Sequence, residues 1–244
     1  MKEVYYVNQQ PYNIDCLKRA IVKALQIQKS DDSVQTIVII VPTASQFSLL
    51  SELFSSADIK NRCYHMEKEN VGIRFETVKT YSVPVSSNQI LISLCVNPKD
   101  LYQFEDEWCA QYWIIVPWIL SEMESWLKVH SAKDVSNGET INNDYFLDEK
   151  VQNGIEWLKA TSFPNEGFNH PLDYNRLKCM ANAVVECHLD FSYDSVLYYC
   201  LNHGINHDGG RKIADAFVKS KNRKFKTDGN YPLRFLKEMM DKQH

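Results

Sequence analysis

Six consecutive apolar residues, Ile37 to Pro42, run straight into Thr43, and no other stretch limits the possible folds so much. The run is far shorter than the roughly 18 residues that a membrane span needs, and its β-branched content suits a strand covered on both faces. Thr43 and Gln46 then stand at capping-box spacing, while Phe47, Leu50, Phe54 and Ala57 recur on one helical face. The pattern predicts a buried strand that turns directly into a capped helix.

The same alternation extends to either side. Residues 4–8 are rich in β-formers, and residues 11–29 carry Ile14, Leu17, Ile21, Ala24 and Leu25 at helical spacing. With the polar loop at 30–33 they complete a β-α-β unit, whose long crossover predicts a parallel strand pair with a right-handed connection. Strands are expected at 63–66 and 71–80, a loop at 82–88, and a further strand at 89–96. Asn97 and Pro98 then have the form of an N-cap with Pro at the first helical position, opening a helix to Cys109. A last strand at 112–117 precedes a helix with Leu120, Met123, Leu127 and His130 on one face. The echo of Ile39–Thr43 in Ile114–Trp118 is ascribed to shared strand-end chemistry rather than to a repeat.

Asn, Gly and Ser mark 135–143 as a linker between an α/β domain, 1–134, and a second domain, 144–244. The second domain shows only helical periodicity, at 145–161, 171–188, 193–203, 210–222 and 232–242. The expected fold is therefore α/β: a Rossmann-like, mainly parallel sheet of about five strands with helices on both faces, followed by an all-helical C-terminal domain. No run is long enough for a membrane helix and no signal-peptide core opens the chain, so a cytoplasmic protein with no membrane partner is expected. The seven cysteines are an odd set without short paired spacings, which predicts buried free thiols.

Glycine usage excludes two large enzyme classes. The first glycine in the chain is Gly72, so the first β-α-β unit lacks both a dinucleotide-binding glycine turn and a phosphate-gripping P-loop. An NAD dehydrogenase and a P-loop NTPase are disfavoured, and no cofactor is expected. An open parallel sheet still offers a crevice at the carboxyl ends of its strands. That edge should collect Asn8, Gln9 and Gln10 after the first strand, Thr43 and Ser45 after the second, Asn97 and Asp100 further on, and Trp118 after the last. These amides, hydroxyls and one indole suit recognition of a small ligand or a protein partner. Only Asp100 among them titrates, and no nucleophile–base pair is visible. The competing explanation is that Thr43, Ser45 and Asn97 simply cap helices.

A second candidate lies where the charge reverses. Residues 135–210 hold 4 Lys/Arg against 11 Asp/Glu, whereas residues 211–244 hold 10 against 4. The stretch Leu201 to Ala214, with Leu201, Gly204, Ile205, Gly210 and Ile213 at the required intervals, resembles the helix-hairpin-helix pattern of non-specific DNA binders. Asn206 replaces its second glycine and would take a left-handed backbone. The resemblance implies a phosphate seat at Gly209, Gly210, Arg211 and Lys212, continued by Lys221, Arg223 and Lys224, and hence nucleic acid as an alternative partner. The plainer explanation is a basic segment that neutralises its acidic neighbour. His203 and His207 have H-x₃-H spacing, yet no short cysteine pair completes a zinc site, so no metal is expected. The R-x₄₋₆-H segment of HEPN-type ribonucleases is missing after Arg176 and Arg211, and Asp148-Glu149-Lys150 begins a helix rather than ending a strand. The expectation is a non-enzymatic cytosolic recognition or sensor protein, with a nucleic-acid-binding accessory factor, or a hydrolase or transferase with a discontinuous site, as the alternatives.

Overall fold

The computed structural model describes residues 3–9, 11–81, 88–101, 104 and 110–242. The chain divides into two compact units, Met1–Asn142 and Asn143–His244. In the first, seven strands form one sheet: β1 (Glu3–Tyr6), β2 (Val34–Val41), β3 (Cys63–Met66), β4 (Val71–Thr77), β5 (Asn88–Leu94), β6 (Ala110–Val116) and β7 (Lys133–Asp134), in the order β3-β4-β2-β5-β6-β1-β7. All neighbours are parallel except β3 and β4.

One expectation is corrected here. β1 and β2 share the sheet but do not pair, because β5 and β6 lie between them. A long crossover helix fixes parallel direction but not adjacency, and β5 and β6, also apolar on both faces, take the central places. Alternation explains the unbroken apolar run of β2. Ile37, Ile39 and Val41 enter a core with Cys16, Leu17, Ala20, Ala24 and Ile27 of α1 (Ile14–Ser30), whereas Val38 and Ile40 enter the opposite core. That second core holds Trp113 with Met123, Trp126 and Leu127 of α4 (Leu120–Val129). Both faces of the sheet are thus covered.

The helix expected after β2 is broken. Gln46 does reach back, accepting from the Thr43 N–H at 3.0 Å, but the turn that follows is a 3-10 helix, Ala44–Leu50, and a separate short α2 (Ser56–Asn61) comes after it. The serines account for the break. Ser48 donates to the Ser45 carbonyl at 3.1 Å and Ser51 to the Ser48 carbonyl at 2.7 Å, local bonds that compete with a continuous α ladder. Leu50 and Phe54 are buried, but Ala57 is exposed. The helix after β5, α3 (Pro98–Leu101), follows Asn97 directly; 102, 103 and 105–109, where it was expected to continue, lie outside the described residues, as do 82–87 of the expected loop. Residues 132–141 fold back on themselves, with Asp134 donating to the Glu139 carbonyl and Ile141 to the Ala132 carbonyl, both at 2.8 Å.

The second unit is all-helical among the described residues: α5 (Glu149–Thr161), α6 (Pro171–Glu186), α7 (Tyr193–Asn202), α8 (His207–Asn222) and α9 (Leu233–Met240), with a 3-10 turn at Pro164–Glu166. Asp148 caps α5 by accepting from Lys150 N–H at 2.8 Å. Leu158, Leu177, Met180, Val184, Ile213 and Phe217 make its core. Two buried asparagines of α6 strap the segment after α8 to that core. Asn182 both donates to the Phe225 carbonyl and accepts from its N–H at 2.9 Å, and Asn175 donates to Asp228 at 2.6 Å.

Candidate functional site

The direction in which the chain leaves each strand locates the crevice. After β1 and β2 it crosses the face covered by α1 and Leu50, and after β5 and β6 it crosses the face covered by Leu101 and α4. Since β6 lies beside β1, and β5 beside β2, the connections diverge at those two places on the carboxyl edge. Divergence of this kind opens a crevice outside the strand ends.

At the β6/β1 divergence stands a pair of aromatic rings. Trp118, 56% exposed, stacks on Tyr12 with ring centroids 5.7 Å apart and an angle of 25° between planes. Beneath the surface, the Tyr12 hydroxyl and the Gln9 Oε1 are both buried and without a hydrogen-bond partner among the described residues. Leaving such groups unpaired costs about 1–3 kcal/mol each, so each is a departure from normal packing. Burial first, then the nearby Cys95, Cys16 and Glu52, pushes the Tyr12 phenol up to about 12. Burial likewise pushes the Cys95 thiol up to about 12. Both stay protonated at neutral pH, so the tyrosine offers a neutral hydroxyl and the cysteine is no ready nucleophile. Cys95 also takes a left-handed backbone, φ 58°, while its N–H donates to the Val116 carbonyl at 2.8 Å and ties the end of β5 to that of β6. For a non-glycine residue that conformation costs about 1 kcal/mol or more.

The residues expected at this edge divide by role. Trp118 meets Tyr12 in the stack, Gln9 holds its buried Oε1 without a hydrogen-bond partner among the described residues, and Asn8 is exposed. Gln10 lies outside the described residues. Thr43 and Ser45 bond to each other at 2.9 Å, and the Thr43 hydroxyl also meets Gln46 Oε1 at 3.1 Å, which is capping chemistry. Asn97 accepts from the Asp100 N–H at 3.0 Å and donates to its carboxylate at 2.6 Å, again a cap. Sequence reasoning missed Tyr12 and Cys95. Tyr12 escaped because the helix was begun at Pro11, whereas Asn13 is the true N-cap, accepting from the Asp15 N–H at 2.9 Å. Asx capping chemistry at Asn13 was the available signal.

In the second unit, the hairpin-like stretch is α7, a turn and the start of α8. Asn206 is not left-handed as the resemblance implied: with φ −68° and ψ 170° it is the N-cap of α8 and accepts from the Gly209 N–H at 2.9 Å. Asn165 holds it on both sides, accepting from its backbone N–H at 2.7 Å while the Asn165 carbonyl accepts from its side chain at 2.9 Å. The two glycines serve helix packing. A Cβ at Gly209 would lie 2.4 Å from the Pro164 carbonyl oxygen, and one at Gly210 would lie 3.0 Å from Cys200 Cβ. The helix end on which a phosphate was expected to sit is thus covered by the chain's own 3-10 turn.

The cations are largely engaged within the unit. Lys212 donates to Asp208 at 2.8 Å and to the Gly167 carbonyl at 2.9 Å, and Arg211 reaches Asp208 at 3.4 Å. Lys221 donates to the Phe191 carbonyl at 2.9 Å and lies over its ring, Lys224 pairs with Glu186, and Arg223 is exposed. Asp208 is buried enough to resist ionisation, yet Lys212 and Arg211 together hold its carboxyl below the ordinary value. His203 stacks on Tyr199 at 3.8 Å, with its Nδ1 2.8 Å from the Tyr199 carbonyl, and His207 is buried in the first turn of α8. Among the described residues no group of three or more His, Cys, Asp or Glu side chains converges as a metal site. Compared with family models, curated proteins and solved structures, the chain matches none.

Proposed function

We propose that this chain is a recognition protein rather than a catalyst, and that its first unit binds a small planar ligand at the carboxyl edge between β6 and β1. The observation that carries this reading is the exposed Trp118 ring stacked on Tyr12, whose buried Oη, like Gln9 Oε1 three positions earlier, has no hydrogen-bond partner among the described residues. An indole that is half in solvent offers a π face to a planar ring, and a carboxamide oxygen lacking a donor offers to accept from an exocyclic N–H. A heterocyclic amine or amide meets both needs, with the Tyr12 hydroxyl as donor or acceptor to a second edge atom. The protonated state of Tyr12 and Cys95 supports recognition over acid–base or nucleophilic chemistry there.

The test is a fluorescence titration with adenosine, cytidine and nicotinamide as probes, on the intact chain and on Trp118→Phe and Gln9→Met. Saturable quenching by at least one probe, reduced about tenfold in affinity by Gln9→Met and carried by Trp118, is the expected result. Absence of saturable quenching by all three, or quenching that survives both substitutions, would overturn the reading.

A further inference from the structure

Away from that edge, a groove of about 500 Å³ runs between α1 and the segment after β7. Its walls include Lys18, Arg19, Val22 and Lys23 of α1 and Val135 and Ser136 opposite. On a unit whose residues 1–134 hold 13 Lys/Arg against 16 Asp/Glu, this strip reverses the local charge. Lys18 is paired with Asp15 at 2.9 Å, but neither Arg19 nor Lys23 has an ion pair within 4.0 Å among the described residues. Lys23 is steadied by the Tyr5 ring, 4.2 Å below its ammonium. Glu3 is already bonded to the Tyr5 hydroxyl at 2.8 Å and to Lys133 at 3.3 Å, and these two together with Lys23 hold its carboxyl below the ordinary value. Val22 stands between the cations and is 54% exposed, although α1 buries its other face completely.

We infer that this groove docks an acidic segment of a partner protein, with carboxylates meeting Arg19 and Lys23 and an apolar side chain resting on Val22 and Val135. Charge complementarity selects this occupant, and the layout selects a peptide over a simple anion. Arg19 and Lys23 stand four residues apart on α1, one turn or about 6 Å along the groove, with Val22 beside them. A small anion can meet both cations but leaves Val22 and Val135 uncovered, whereas a peptide brings two carboxylates to Arg19 and Lys23 and covers the apolar seat with a side chain of the same segment.

The experiment is fluorescence anisotropy of the full chain with a labelled nine-residue peptide in which glutamates flank a central leucine. The expected result is saturable binding that weakens about tenfold between about 50 and about 300 mM salt, because the charges are exposed. Arg19→Glu with Lys23→Glu should abolish it while the far-ultraviolet dichroism is unchanged. Val22→Asp, which alters the apolar seat and leaves both cations, should weaken it about tenfold by adding a like charge to an acidic ligand. No binding at low salt would overturn the inference. So would full competition by millimolar inorganic phosphate, or equal affinity for a peptide with the leucine replaced by glutamate, since either would mean a diffuse anion attraction only. These outcomes do not depend on the ligand at the carboxyl edge.

Discussion

Tyr12→Phe removes one oxygen atom and should make the protein more stable. In most buried tyrosines that change breaks a hydrogen bond and costs about 1 kcal/mol. Here the hydroxyl is buried without a partner among the described residues, and the ring's stacking on Trp118 at 5.7 Å survives the substitution. Removing an unpaired buried hydroxyl relieves a penalty of about 1–3 kcal/mol, and the lower figure allows for partial solvation in the native state. A gain of about 1 kcal/mol in a unit of this size corresponds to about 3 °C in melting temperature. Near-ultraviolet circular dichroism during heating reads tertiary packing around Tyr12 and Trp118, so it is the appropriate melt. Ligand affinity should fall in the same variant, because the hydroxyl that harms the empty protein is the one that a ligand would satisfy. A melting temperature lowered by about 3 °C would refute the reasoning, since it would show that the hydroxyl already has a partner.

Other substitutions test the second unit, with one control in the first. Gly209→Ala places a methyl group against the Pro164 carbonyl, 2.4 Å away, and should destabilise by about 2 kcal/mol or more in a urea melt. Gly72→Ala, where an added Cβ meets nothing within 4 Å, is the control and should be neutral or slightly stabilising. The depressed carboxyl of Asp208 predicts a pH effect of definite sign: its contribution is complete above the ordinary value of 3.8 and is lost as pH falls through the lower folded value. Asp208→Asn should therefore flatten the acid limb of a stability–pH profile for this unit and leave the neutral region less stable than in the parent chain.

The residues most legible in the sequence were those whose chemistry is local. The β-branched run at 37–42 and the helical spacing at 145–161, 171–188 and 193–203 required only period and propensity; the strand found is Val34–Val41, and the helices are Glu149–Thr161, Pro171–Glu186 and Tyr193–Asn202. What resisted reading depended on tertiary competition. Strand adjacency was misjudged because β1, β2, β5 and β6 all have apolar faces that can pair, and nothing local chooses among them. The helix after β2 failed because Ser48 and Ser51 turn their hydroxyls back onto backbone carbonyls, a choice invisible to apolar periodicity. At the candidate site, Trp118 and Gln9 could be named from sequence because they follow strand ends directly. Tyr12 and Cys95 were not, since their significance lies in burial without a partner and in a left-handed backbone, which only the folded chain reveals. Asn206 is the converse case: a resemblance gave it a turn conformation, while its side chain, one residue before α8, made it an ordinary N-cap.

The most direct measurement of the central claim is native mass spectrometry of the protein as isolated, beside Trp118→Ala prepared identically. Recognition at the carboxyl edge predicts a non-covalent adduct of small-molecule mass on the parent chain, released by mild activation and missing from the variant, with both proteins equally folded. A parent chain that carries no adduct and gains none when incubated with adenosine, cytidine or nicotinamide, or an adduct retained undiminished by Trp118→Ala, would contradict it.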